Sequence, residues 1–117
     1  MATTKVFDSY EISINGGNSG RVALIMCYQG TNFVGRIDFQ PDGAALGSDY
    51  LWHPSSPNIT YIVLQMPVSR FAVVAETLRQ EAPLQLYIDV NAGIGAATNG
   101  RGSLATGTRE PVGELTG

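Results

Sequence analysis

Alternation of apolar and polar residues marks the first element of the chain. From Val6 to Ile14, Tyr10, Ile12 and Ile14 fall on one side and Glu11 and Ser13 on the other, the period of a half-buried strand. The turn formers Asn15-Gly16-Gly17-Asn18-Ser19-Gly20 interrupt it. Arg21 to Tyr28 is apolar without alternation, as expected of a strand covered on both faces. Gln29-Gly30-Thr31-Asn32 is short enough to close a hairpin onto Phe33 to Gln40, in which Phe33, Ile37 and Phe39 oppose Arg36 and Asp38. Pro41-Asp42-Gly43 ends that strand with turn chemistry. These segments predict a three-stranded antiparallel meander.

Ala44 to Asn58 shows no regular period and predicts an irregular segment, with Tyr50, Trp52, His53, Pro54 and Pro57 in it. Ile59 to Met66 is a further apolar strand. From Val68 to Ala82 the period changes to that of a helix, with Phe71, Val74, Ala75, Leu78 and Ala82 on one stripe. Ser69 is a candidate N-cap, and Pro83 ends the pattern. Leu84 to Val90 alternates again, with Leu84, Leu86, Ile88 and Val90 inward. The strands flanking the helix are far enough apart in sequence to be parallel neighbours, antiparallel neighbours or no neighbours at all. Asn91 to Gly102, rich in Gly, Ala and Asn, predicts a connection, Ser103 to Arg109 a last short strand, and residues 110–117 a tail. The expected fold is a single α+β domain over residues 1–117. Its N-terminal antiparallel meander is joined to a strand–helix–strand unit, and one amphipathic helix packs on a curved sheet.

Composition supports a sheet-rich domain with a neutral surface. Glycine accounts for 14 of 117 residues, about double the usual share of roughly 7%. Charged residues make up 15%, against about 25% in a typical domain. A surface so poor in charge suits a chain that covers part of itself with another copy, so a homo-oligomer is expected. Seven basic residues without clustering and a net charge of −3 weigh against a nucleic-acid partner. The longest apolar run, Val22 to Tyr28, is far short of the roughly 20 residues that a membrane helix needs. With one cysteine and no leader-like stretch, the chain is expected in the cytoplasm, and the sequon Asn58-Ile59-Thr60 is read as coincidence.

Candidate chemistry is sparse. Gly93 to Gly102 follows a strand, and the spacing from Gly95 to Gly100 matches the start of a Walker A loop. Arg101 stands where the lysine belongs, and Gly102 where magnesium needs a hydroxyl, so a simple connection is the favoured reading. Cys27 and His53 are the only thiol and imidazole, and Cys27 sits mid-strand among apolar neighbours, as an inert buried cysteine does. One Cys and one His do not make a zinc site, and neither a metal nor another cofactor is expected. Asp8, Asp38, Asp42, Asp49 and Asp89 are scattered over strands and turns, which favours surface or turn roles over an acid–base pair. The segment Tyr50-Leu51-Trp52-His53-Pro54 carries the strongest binding signal. Large amphipathic rings outside regular structure anchor ligands or partner chains, unless Trp52 plugs the end of the sheet as core. Arg36, Arg101 and Arg109 would add anion contacts if the fold gathered them.

Val68 to Leu78, Leu84-Gln85-Leu86-Tyr87-Ile88 and the closing Gly107-Thr108-Arg109-Glu110-Pro111-Val112-Gly113-Glu114 resemble a pattern in short uncharacterised bacterial proteins carried by phages or mobile gene cassettes. The resemblance covers the C-terminal half and implies a compact, oligomeric small protein. It implies no activity and no functional residues. Three functions follow as expectations. The first is a non-catalytic, self-associating binding protein using Tyr50, Trp52 and His53. The second is a small-molecule binder for a nucleotide-like anion using Arg36, Arg101 or Arg109. The third is a small hydrolase or isomerase using carboxylates.

Overall fold

A computed structural model describes residues 2–15, 21–53, 59–90 and 97–106, with the side chains of residues 97 and 98 excluded. The described residues are mostly sheet, with one short helix. Eight strands run in the order β1 (Ala2–Phe7), β2 (Ser9–Ile14), β3 (Ala23–Gln29), β4 (Asn32–Gln40), β5 (Asp49–Trp52), β6 (Tyr61–Pro67), β7 (Leu84–Val90) and β8 (Ala97–Thr106). The helix α1 (Phe71–Gln80) follows a single 3-10 turn, Val68–Arg70. In space the strands form one sheet in the order β1-β7-β8-β5-β6-β4-β3-β2. Every neighbouring pair is antiparallel except β4 and β6. Among the described residues, no helix is long and apolar enough to cross a membrane.

The sheet curls because its two rims belong to consecutive segments. What reads as one strand from Val6 to Ile14 is broken by a bend at Asp8, which sends β1 to one rim and β2 to the other. Asp8 fixes the corner twice. Its N–H donates to the Tyr28 carbonyl at 2.9 Å, and its Oδ1 accepts from the N–H of Gly30 at 3.1 Å. Gly30 turns the β3–β4 hairpin with φ +61°, a conformation that costs glycine nothing.

Curling gives the sheet an enclosed face. Ile25, Cys27, Ile37, Phe39, Ile62, Leu64, Leu86 and Ile88 are almost wholly buried there. α1 lies over this face, with Val74 and Leu78 buried and the Phe71 ring 5.1 Å from that of Phe39. Each buried aliphatic side chain of that kind stabilises the fold by about 1.5–3 kcal/mol. Glu76, Arg79 and Gln80 lie on the exposed side of the helix, with Arg70 exposed in the turn before it, and the Arg79 Nη2 to Glu76 Oε2 pair is 2.7 Å long.

Several expectations change. α1 is shorter than Val68 to Ala82, because Ala82 lies past the last turn and is exposed. Ser69 does not cap it. Instead the Ser69 N–H, within the preceding turn, donates to Asp42 Oδ1 at 3.0 Å, so an acceptor from the β4–β5 connection satisfies a helix-start donor. The strands flanking α1 are not neighbours, since β8 and β5 lie between β7 and β6. Asp49–Trp52 is a strand rather than an irregular segment, and Ala97–Gly102 belongs to β8 rather than to a connection. Ile12 and Ile14, expected inside, are 43% and 72% exposed, because α1 does not extend over the β2 rim.

The candidate aromatic and guanidinium face

Among the described residues, no helix lies on the opposite face of the sheet, and register places its side chains in rows. The first row takes one ring from each of four neighbouring strands, Tyr28 (β3), Phe33 (β4), Tyr61 (β6) and Trp52 (β5). Tyr28 and Phe33 are cross-strand partners, as are Trp52 and Tyr61. Ring centroids are 5.8 Å apart from Tyr28 to Phe33, 5.0 Å from Phe33 to Tyr61 and 5.5 Å from Tyr61 to Trp52. All three are tilted or edge-on, the favoured arrangement for aromatic pairs. A bulge after Cys27 makes the row possible, because the register skips Val34 and brings Phe33 onto the face shared by Arg36 and Asp38.

The second row holds Arg36, Val63 and Tyr50, opposed across β4, β6 and β5. Val63 is wholly buried although it points away from the core, because the side chains of Arg36 and Tyr50 close over it. Arg36 Nη2 donates to the Tyr50 hydroxyl at 3.1 Å, and its guanidinium carbon lies 5.5 Å from the Trp52 ring centroid. That is cation–π range.

The third row fixes the guanidinium. Arg36 Nε donates to Asp38 Oδ1 at 2.9 Å, and Arg21 Nη1 reaches the same oxygen at 3.5 Å. Gln65 Nε2 donates to Asp38 Oδ2 at 3.4 Å, and Gln40 Nε2 donates to Gln65 Oε1 at 3.2 Å. Asp38 is only 3% exposed, so its charge is met inside a polar network rather than by water. At the β3 end of the first row, the Glu11 carboxylate beside Tyr28 raises the pKa of that phenol above its usual 10.0, mainly through their hydrogen bond.

The predicted site residues therefore separate. Tyr50, Trp52 and Arg36 meet on this face, and Trp52 is half-buried on the outside of the sheet rather than plugging its core. His53 follows β5 and is half-buried. Arg101 is exposed on β8 opposite Asp89, three strands from Arg36 and two residues out of its row, so roughly 16 Å away. Arg109 lies outside the described residues. Phe33, Tyr61, Asp38 and Gln65 were missed as members of this face. Alternation alone places Phe33 beside Ile37 and Phe39, and the bulge overturns that by turning it to this face, whereas the meeting of Tyr61, Asp38 and Gln65 depends on strand order.

Cys27 belongs to the core. Cys27 is 0% exposed on the enclosed face, and β4 and β6 separate its strand from the one that His53 follows. Burial pushes its thiol from 9.0 up to about 12. At pH 8 that leaves about a thousandfold less thiolate than at an ordinary thiol. A disulfide reagent such as Ellman's is expected to leave native Cys27 unmodified over minutes at pH 8 and to titrate one thiol per chain in guanidinium. Rapid native labelling would contradict this burial. Among the described residues, no group of three Cys, His, Asp or Glu side chains stands close enough to hold a metal.

No family model matches the chain, and comparison with curated proteins and with solved structures gives no significant match.

Proposed function

We propose that this chain is a non-catalytic binding protein that self-associates, and that the face built from Tyr28, Phe33, Tyr61, Trp52, Arg36 and Tyr50 receives its partner. One observation carries the reading, the unbroken row of four half-buried rings that ends on a guanidinium, on the side of the sheet that no helix covers among the described residues. Rings and arginine are the residue types that dominate binding energy at contact surfaces. Here each ring leans on its neighbour, and Arg36 is tied to Asp38 and Tyr50. Contact therefore costs little side-chain entropy. The low charge of the chain and its weak resemblance to small oligomeric proteins are in keeping with self-association, and the resemblance adds no activity.

The nucleotide-like anion reading draws no comparable support. The charge of Arg36 is met by Asp38 at 2.9 Å, and Arg101 stands beside Asp89 on a distant strand. Native mass spectrometry of the purified protein tests the proposal. The expected result is more than one copy per particle, with carried mass that Trp52→Ala removes. Losing the ring that Arg36 stacks on costs about 2 kcal/mol, roughly thirtyfold in affinity. A monomer at micromolar concentration with no carried mass would overturn both halves.

A further inference from the structure

The rim strand β2 pairs only with β3 among the described residues. Edge strands are ordinarily protected by lysine, proline or an inward charge. β1, at the other rim, has Lys5, whereas β2, Ser9–Ile14, has neither Lys nor Pro and a single charge, Glu11. Its residues on the enclosed side, Ile12 and Ile14, are 43% and 72% exposed, although their partners Ile25 and Ala23 on β3 are buried. Beside them runs an open groove of about 950 Å³ against α1, where Val73 is 70% exposed. The rim thus offers unpaired main-chain groups and an apolar flank on the same side.

We infer that this rim is where a second copy of the chain docks, by antiparallel pairing of β2 with β2 about Ile12, so that two curled sheets join into one. The inference rests on the self-association proposed above and assigns it a place, leaving the aromatic face free. The sequence of the strand selects the partner. Centred on Ile12, the pairing sets Tyr10 against Ile14 of the partner subunit, Ile12 against Ile12 of the partner subunit, and Glu11 against Ser13 of the partner subunit. Each face then meets its like, and no like charges oppose. A slip of one residue would turn the apolar set of one copy onto the polar face of the other. A slip of two in one direction would bring Glu11 against its own copy, and in the other would carry Tyr10 off the strand. A two-fold antiparallel contact of one strand with itself is also the simplest closed assembly. The groove beside α1 widens the contact beyond a single strand.

Cross-linking and charge insertion test this on the intact chain. Directly opposed side chains on paired strands have Cβ atoms about 5 Å apart, close to disulfide reach. Ile12→Cys is therefore expected to give a covalent dimer under mild oxidant, and Glu11→Cys is not, while buried Cys27 stays reduced. Ile12→Lys and Ile14→Lys are expected to yield monomers at concentrations where the wild type is dimeric, weakening association about tenfold or more. Both positions are exposed, so circular dichroism and the melting temperature of the monomer should be unchanged. An oligomer indifferent to both lysines, or one dissolved by Trp52→Ala instead, would overturn the β2 assignment and leave self-association standing. A wild-type monomer at 100 µM, on the order of the upper range for weak association, would overturn both. A monomer that dimerises when residues 107–117 are removed would show that the chain's own terminus holds the rim, and would equally overturn the inference.

Discussion

Replacing Gly35 with alanine is expected to destabilise the protein by about 3 kcal/mol or more, beyond an ordinary overpacking cost because a backbone atom is in the way. Gly35 lies on the enclosed face of β4, opposite Cys27 of β3 and Ile62 of β6. A Cβ there would be driven into the Ile62 carbonyl oxygen and would come within 2.6 Å of Leu86 Cδ1. The leucine can rotate, but the carbonyl is fixed by the sheet. In a chain of this size the loss corresponds to a drop in melting temperature of roughly 12 °C. Gly47→Ala is the control, since a Cβ there meets nothing within 4 Å and the expected change is within about 0.5 kcal/mol. Thermal unfolding of the two variants followed by circular dichroism decides the matter. Equal stability would mean that β7 does not press on β4 across the interior.

The same close approach explains what sequence patterning could not supply. Gly100 and Gly102 sit on β8 where a Cβ would strike the Asp89 carbonyl and the Leu64 side chain. Small residues are required at those positions, yet glycine lowers strand propensity and reads as a connection. β8 was therefore hidden by the feature that lets it fit. β5 was hidden by brevity, because four residues between turn formers show no measurable period. The period of the helix, by contrast, spans three turns and was legible at once, as was the alternation of Leu84 to Val90. In β2 the alternation was legible and its consequence was not, since whether an apolar side is buried depends on how far α1 reaches over the rim. For the candidate site, residue types pointed to Tyr50 and Trp52. Strand order, together with the bulge that turns Phe33 outward, brought Tyr28, Phe33 and Tyr61 to them and joined them to Arg36, and strand order is a property of the whole sheet.

Asp49→Ala is expected to cost about 2–4 kcal/mol, more than either Asp8 or Asp42 would, for a reason set by strand lengths. β5 has four residues, whereas β6 has seven and β8 has ten. Where β5 begins, its neighbours still present N–H groups toward the gap. The Asp49 carboxylate takes both, Oδ1 from the Gln65 N–H at 2.7 Å and Oδ2 from the Gly102 N–H at 3.0 Å. One side chain thus stands in for the strand that ran out. Alanine leaves two half-buried donors unpaired, at about 1–3 kcal/mol each when fully desolvated. Asp49→Asn separates charge from geometry, because the amide offers one acceptor and turns a donor toward the second N–H. The expected loss is about half that of alanine or more. Urea unfolding of the three proteins provides the measurement. If asparagine matches the wild type, the two bonds are not both made.

The bend at Asp8 also constrains time. β2, β3 and β4 pair with near neighbours in sequence, and they can zip together soon after they are made. β1 precedes them in the chain, yet its partner is β7, with Ala2 set against Asp89. β1 has no place in the sheet until β7 has followed it. Until then the far rim stands open beside the apolar interior, and the polar run Thr3-Thr4-Lys5 gives the waiting strand little apolar surface to expose.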